Sequence, residues 1–582
     1  MVFLSPDRKG LAVASFARPF AAPNFADAVV LLLIGTLAVL VVHGVQAMGR
    51  PLAVLQIEPV TLQLSALPGY ALLTTMRMFA AILCSLIFTF VVGSLAAKSR
   101  KAALVIVPAL DVLQSVPVLG FLTFTVAFFM NLFPGRELGA ECASIFAVFT
   151  AQAWNMAFSF YQSLRTLPSD LDQACRQFGL SPWRRFLRLE LPFAMPGLIW
   201  NTMMSMSGGW FFVVASEAIT VGDRTVTLPG IGSWLALAIE RRDLAAVAWA
   251  VGAMAIVIAL YDQLVFRPIV AWADKFRFEQ TASEDRPTSW LYDLIRRTRV
   301  MRTLVEPFAR IARAISDLEP PRLQPRTVSV SPRLGRVLDW AWIAIVVLVT
   351  LYVAVRAVII LGRTLDLGVA LHVAELGVFT LIRVLVLIAI ASLIWVPIGV
   401  WIGLRPAWSQ RVQPFAQFLA AFPANVLFPG AVMAIVALRL NPDIWLSPLM
   451  VLGTQWYILF NVIAGASAIP TDLREVGAIF GVKSWQWWRQ IGLPGIFPYY
   501  VTGAITASGG SWNASIVAES VSWGRTHLEA KGLGAFIADA TAAGDLSRVG
   551  LGVAIMSLFV ITLNRTLWRP LYGVAERRLR LD

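Results

Sequence analysis

The chain has 582 residues, of which 58% are apolar and 14% charged, and its mean hydropathy is +0.72. A soluble domain carries roughly a quarter charged residues, so the composition excludes a wholly water-soluble fold. The net charge of +14 does not point to nucleic acid, because the basic residues fall in short clusters on alternate loops between apolar stretches, as in a multispanning protein.

A hydrocarbon core about 30 Å thick needs roughly 20 helical residues. The first half offers spans near 27–48, 72–97, 103–132, 141–164, 192–218 and 244–266. The second offers 340–361, 378–404, 412–438, 445–467, 494–520 and 549–568. The expected fold is therefore all-α and polytopic, with about 12 transmembrane helices. The first apolar run begins near Ala28 and is long enough to span, so it reads as a retained helix. Pro108, Pro117, Pro423 and Pro429 interrupt the third span of each half.

Orientation follows from the loops. Lys98, Arg100 and Lys101 follow the second span, the arginines at 165, 176, 184, 185 and 188 the fourth, and Arg267, Lys275 and Arg277 the sixth. Arg405 and Arg411, then Arg474, Lys483 and Arg489, then Arg569, Arg577, Arg578 and Arg580 occupy matching loops of the second half. All are cytoplasmic only if both termini and the central linker are cytoplasmic too. The far-side loops near 219–243 and 521–548 mix signs.

The chain divides into an N-terminal segment with the first span (1–71), a core (72–266), a cytoplasmic linker (267–339), the seventh span and loop (340–377), a second core (378–570) and a tail (571–582). The linker is rich in Arg and Pro. It is either a tether or the seat of one amphipathic helix near 289–316, striped by Leu291, Ile295, Leu304, Phe308 and Ile311. Cys84, Cys142 and Cys175 are too scattered for a disulfide framework, and His43, His372 and His527 suggest no metal site.

The halves repeat one another. Leu167-Pro168-Ser169-Asp170-Leu171 and Ile469-Pro470-Thr471-Asp472-Leu473 lie 302 residues apart. At that offset Trp154 meets Trp456, Gly179 meets Gly481, Trp183 meets Trp485, and Glu217 meets Glu519. Upstream, Arg77 meets Arg383 and Pro117 meets Pro423 at an offset of 306. Six spans per half make the repeats parallel, with a path expected at their interface.

The loop after the fourth span of each half carries the chemistry. It reads Gln173-Ala174-Cys175, three residues, Gly179, nine residues, Leu189-Glu190-Leu191-Pro192. Its counterpart reads Glu475-Val476-Gly477, three residues, Gly481, nine residues, Ile491-Gly492-Leu493-Pro494. Pro168 and Pro470 end the preceding span, and Ser169 with Asp172, or Asp472 with Glu475, has capping-box spacing. Gly179 and Gly481 suit the left-handed position that ends a short helix, and Ser181-Pro182 can start another turn. A capped elbow of this kind, bearing Trp183 and Arg184 or Trp485, loses little entropy on docking into a groove.

This pattern resembles the E-A-A, three residues, G, nine residues, I-x-L-P coupling loop of bacterial ABC importer permeases. Gln173 stands for the Glu in the first half, and Cys175, Val476 and Gly477 vary the small positions. Ala215-Ser216-Glu217 and Val517-Ala518-Glu519, each followed by a Gly-containing loop, are similar to the nitrate, sulfonate and taurine branch. The resemblance implies a type I importer architecture in the bacterial inner membrane, two copies of an ATPase subunit gripping the elbows, and an external solute-binding protein. ATP and Mg would sit on those subunits, since this chain has no G-x-x-x-x-G-K-[ST]; it is not expected to be an enzyme or to hold a cofactor.

The fifth span is punctuated at mid-depth by Ser205, Ser207, Gly208, Gly209 and Trp210, matched by Ser508, Gly509, Gly510, Ser511, Trp512 and Asn513. Small residues here serve either close helix packing or a substrate path. Glu217 and Glu519 are expected as structural parts of an outer gate. A ferric-ion importer is the alternative substrate reading, and a gradient-driven secondary transporter the alternative mechanism.

Overall fold

The computed structural model describes residues 25–48, 60–276, 289–298, 340–349 and 367–578, apart from 115 and 222–223, with a few isolated residues between 306 and 359. Leu304, Phe308, Ile311, Arg580 and most of the linker lie outside the described residues.

The first half comprises α1 (Phe25–Met48), α2 (Leu67–Lys98), α3 (Arg100–Leu113), α4 (Val118–Leu132), α5 (Leu138–Arg165), α6 (Ser169–Gln177), α7 (Leu191–Glu217), α8 (Ile231–Glu240) and α9 (Leu244–Ala273). A short α10 (Trp290–Arg297) and α11 (Trp340–Val349) follow. The second half repeats the plan with α12 (Leu367–Gly403), α13 (Pro406–Ala421), α14 (Phe428–Ala437), α15 (Gln455–Ser467), α16 (Thr471–Ile479), α17 (Leu493–Ala518), α18 (Leu533–Ala542) and α19 (Leu546–Val574). The all-α expectation needs one correction. After α7 and α17 the chain forms antiparallel strand pairs, β1 (Ala218–Val221) with β2 (Arg224–Thr227) and β3 (Ser520–Trp523) with β4 (Thr526–Glu529).

Among the described residues five helices (α1, α2, α9, α12 and α19) are long and apolar enough to cross a membrane, and up to seven spans result if two bent pairs each count as one. The bends fall at the prolines. The third span of the first half breaks between α3 and α4, where Pro117 caps α4 in extended backbone. Its counterpart turns by 81° near Pro423, between Phe415–Ala421 and Ala424–Ala437. A residue before proline avoids the helical region and proline offers no N–H, so the chain cannot run straight through. Helices α5, α7 and α17 are equally long but carry Ser, Asn, Gln and Gly; the other helices pack around them and bury them along much of their length.

Four π turns recur in the same register: Phe186–Glu190 and Trp488–Gly492 before α7 and α17, and Asp262–Phe266 and Asn564–Trp568 within α9 and α19. Each stands two residues before a proline, at 192, 494, 268 and 570. The missing N–H leaves the carbonyl four residues back without its partner, and the ring crowds it. Widening the helix by one residue accommodates both.

The halves interlock. Helix α4 packs on α17 and α19, and α13 packs on α7 and α9, so each half's broken helix leans on the other half. At the breaks the Val118 N–H donates to Asn513 Oδ1 at 2.6 Å, and Asn425 Nδ2 donates to Phe211 O at 3.4 Å. Phe211 and Asn513 are themselves 302 residues apart, so both contacts use one site of a pseudo-twofold. A single apolar core runs through both halves. Outward faces present rows of bare apolar side chains, such as Leu83, Ile87 and Val91 on α2 and Ile390, Leu393 and Ile394 on α12.

Of the stretch 289–316, where the sequence allows a tether or an amphipathic helix, α10 covers Trp290–Arg297 and ends at Thr298 in extended backbone, and most of 299–316 lies outside the described residues. Ser289 caps α10 by accepting from the Tyr292 N–H at 3.3 Å, and Leu291 is buried where α10 packs on α1 and α9.

Candidate functional site

Both elbows are built as their glycines require. Helices α6 and α16 each end in a Schellman motif: Leu180 N–H donates to Cys175 O at 3.1 Å and Gly179 N–H to Arg176 O at 3.0 Å. Val482 N–H donates to Gly477 O at 2.8 Å and Gly481 N–H to Ala478 O at 3.1 Å. Gly179 and Gly481 take φ of 66° and 65°, the left-handed region that disfavours a Cβ. Ser181 caps the next turn by accepting from the Arg184 N–H at 3.3 Å, with Pro182 at the first helical position.

The expected capping boxes do not form. Pro168 and Pro470 occupy the cap positions, so Ser169 is the first helical residue and makes no cap bond. Asp172 is instead held by arginines, Arg176 at 2.9 Å and Arg185 at 3.0 Å. Gln173, Gly179 and Trp183 are exposed on the first elbow, with Ala174, Cys175 and Arg184 half-buried. On the second, Glu475, Val476, Gly481 and Trp485 are exposed and Gly477 is buried against Ile491. Partial burial, then the charge of Asp172, push the Cys175 thiol above its usual pKa, against a smaller opposing effect of Arg185.

At the other ends of α7 and α17 lie two clusters. Arg77 is enclosed by protein; its Nε and Nη2 donate to both oxygens of Glu141, each at 2.6 Å, and its Nη1 to Glu217 Oε1 at 2.6 Å and Pro229 O at 2.9 Å. Glu217 Oε2 accepts from the Gly232 N–H at 2.7 Å, and Thr74 Oγ1 from the Ile231 N–H at 3.0 Å. The second half repeats this. Arg383 Nη1 donates to Glu519 Oε1 at 3.0 Å and Lys531 O at 2.7 Å, and Nη2 to Asp443 Oδ1 at 3.3 Å. Glu519 Oε2 accepts from Gly534 N–H at 2.8 Å, and Thr380 Oγ1 from Leu533 N–H at 2.9 Å. A Cβ at Gly230 or Gly532 would strike the carboxylate beside it. Each cluster thus ties three helices and the following loop at one point. Glu217 and Glu519 are buried and bonded within these clusters. The halves also meet here: Gly524 N–H donates to Ile239 O at 3.0 Å and Arg242 Nη2 to Thr526 Oγ1 at 3.3 Å.

The mid-depth residues separate by direction. Gly209 lies against Gln152 and Met78, Gly510 against Thr454, and Ser511 within 2.9 Å of Thr454 Oγ1, all within their own halves. Ser205 accepts from Asn155 Nδ2 at 3.0 Å, and Ser508 is likewise buried. These positions pack within their own halves. Gly208 faces the second half, where the Tyr457 hydroxyl sits beside it, and Ser207 lines the cavity between the halves. A Cβ built on Gly509 has open space. Trp512 stacks on Phe559, and Asn513 joins the interface with Val118. A cavity of about 40 Å³ lies between the halves, lined by Met203, Ser207, Trp210, Tyr261, Gln417 and Phe418 among others. Among the described residues no group of His, Cys, Asp and Glu is placed to hold a metal ion, and the three cysteines are unpaired.

The family described as "Binding-protein-dependent transport system inner membrane component" matches residues 89–267 and again 395–580, more than half of the chain. The chain belongs to this family. It is a permease component with the family's domain present twice, and the domain covers both elbows and both mid-depth stretches. Similar proteins include the bicarbonate transport system permease protein CmpB of Synechococcus elongatus, 29% identical over 177 residues (30% of this chain, 60% of that protein). The nitrate import permease protein NrtB of Leptolyngbya laminosa is 28% identical over 203 residues (35% and 68%). The glycine betaine/proline betaine permease protein ProW of Escherichia coli is 27% identical over 174 residues (30% and 45%). The matched region thus spans under two thirds of the length of CmpB.

Proposed function

We propose that this chain is the complete permease of an ATP-driven ABC importer in a bacterial inner membrane, passing a small anion such as nitrate, sulfonate or bicarbonate between its halves. One observation carries the reading. Helices α7 and α17 each start at an elbow and end at an arginine–carboxylate cluster, and 27 residues of α7 span roughly 40 Å. A push on the elbow therefore reaches the far end through one rod, and the cluster there makes three helices move together.

On this reading an ATPase subunit, carrying ATP and Mg, docks at each elbow, and an external binding protein delivers the solute to the hairpin end. The chain crosses the membrane twelve times, six per half, with α3–α4 and α13–α14 as broken spans and both termini on the elbow side. The residues facing the path are Ser207, Gly208 and Trp210 on α7, with Gly509 as their open counterpart on α17. Nitrate and bicarbonate permeases among the relatives support an anion. The test is uptake of isotope-labelled nitrate and bicarbonate into proteoliposomes holding the chain, its ATPase and its binding protein. Uptake is expected only with ATP on the elbow side. Uptake that persists without ATP and collapses with an uncoupler would show a gradient-driven transporter instead.

A further inference from the structure

A cleft of about 580 Å³ lies at the hairpin end of the second half, between the start of α12, strand β4, α18 and the start of α19. Small-molecule sites occupy about 300–1,000 Å³, so the cleft is large enough to hold one. Leu376, Phe379 and Phe536 give it an apolar wall. Six of its residues can carry charge: Glu375, Glu529 and Asp539 on one side of the balance, Lys531, Arg548 and His372 on the other. It stands apart from the mid-depth residues of α7 and α17 that face the path.

The first half fills the equivalent place. Tyr70 and Trp234, at the register of Leu376 and Phe536, meet edge to face with ring centroids 6.2 Å apart. The Trp234 Nε1–H donates to Ala246 O at 2.9 Å, and Ala246 is the counterpart of Arg548. The other charged positions correspond to Ala66, Gly69, Thr227, Pro229 and Leu237. The frame around them is kept, for Thr74, Gly230 and Glu217 match Thr380, Gly532 and Glu519 at the same offsets. Charges that merely solvate a surface have no reason to gather at six positions of one half and at none of the other, just where the aromatic pair has shrunk.

The charges are not equally available. Arg548 reaches Asp545 at 3.4 Å, and His372 lies 3.6 Å from Glu375. The side chains of Glu529, Asp539 and Lys531 make no ion pair or hydrogen bond among the described residues. The Lys531 backbone is nevertheless fixed, its N–H donating to Asp443 Oδ1 at 2.8 Å and its carbonyl accepting from Arg383. Two carboxylates and one ammonium therefore remain for a ligand. A simple anion would meet more carboxylates than cations, and a diamine would set an ammonium against Lys531; both oppose like charges. A molecule with one ammonium and one carboxylate satisfies all three groups through charge-assisted hydrogen bonds. We propose that this cleft binds a small zwitterion, its ammonium taken by Glu529 and Asp539, its carboxylate by Lys531, and its carbon chain by Leu376, Phe379 and Phe536. The site does not depend on what the path carries.

The test is calorimetric titration of the full chain in lipid nanodiscs with three probes of one carbon length: ε-aminocaproate, hexamethylenediamine and adipate. ε-Aminocaproate is expected to bind severalfold more tightly than the diamine, and adipate least of all. Asp539→Leu, which installs the first half's residue, and Lys531→Ala, which keeps the backbone bonds, are each expected to weaken ε-aminocaproate severalfold at an unchanged melting temperature. A control that binds as tightly as ε-aminocaproate, variants that bind it as well as the wild-type chain, or no saturable binding of any probe overturns the proposal. No ATPase or binding protein takes part, so these results leave the importer reading untouched, and failure of the uptake assay leaves the cleft untouched.

Discussion

Arg77 and Arg383 make equivalent contacts in unequal surroundings. Arg77, Glu141 and Glu217 are all enclosed, whereas Arg383 is partly exposed and its partner Asp443 half-exposed. Removing one member of a buried ion pair costs about 3–5 kcal/mol, because the remaining charge is left without compensation. Arg77→Leu, which strands two carboxylates, is expected to fall in that range. Arg383→Leu is expected to cost less, since of the two carboxylates it strands only Glu519 is enclosed and water still reaches Asp443. Apparent melting temperature in detergent, followed by fluorescence-detected size exclusion, would show unequal losses; equal ones would contradict the account. Glu519→Gln keeps an oxygen for the Gly534 N–H and leaves Arg383 with Asp443, so that variant should fold and fail in transport. The cluster is hard to read from sequence because Arg77 is 64 residues from Glu141 and 140 from Glu217. The signal for it is the repeat itself: Arg, acid and Glu recur together, with Asp443 standing 302 residues after Glu141.

Local features are the legible ones. Gly179 and Gly481, the proline stops at 168 and 470, and the Leu-Pro openings of α7 and α17 are each decided within a turn of helix, so sequence spacing reveals them. The capping box fails for an equally local reason: the proline already occupies the cap, and Arg176 and Arg185 in the same elbow claim Asp172. A Cβ added at Gly179 or Gly481 meets no atom within 4 Å, so backbone strain is the main change. Left-handed backbone costs a side-chain-bearing residue about 1–2 kcal/mol, and asparagine tolerates it better. Gly481→Val is therefore expected to leave the melting temperature unchanged while weakening ATPase retention about tenfold, and Gly481→Asn to retain most of it. Co-purification with the ATPase measures both. A large drop in melting temperature for Gly481→Val would mean the elbow is part of the core. Hairpins β1–β2 and β3–β4 have no comparable sequence signal, because four-residue strands after a helix end in pairings that only the folded loop defines.

At the level of the whole molecule the repeat and its parallel sense are legible, but the interlock is not: nothing in a hydropathy profile says that α4 belongs against α17 and α19. Because each half supplies part of the other's wall, neither is complete alone. Cutting the chain between residues 299 and 339 and producing both pieces together should yield a co-purifying pair, while either piece alone should aggregate; a monodisperse single piece would refute the interlock. Tethering two such pieces also changes what mutation can do. In a transporter assembled from two copies of one gene product, every substitution appears on both sides of the axis and must suit both. Here a change can enter one side only, with its mate fixed by covalent linkage, so Asp172 and Arg474 can drift to opposite signs without ever having to face a twin.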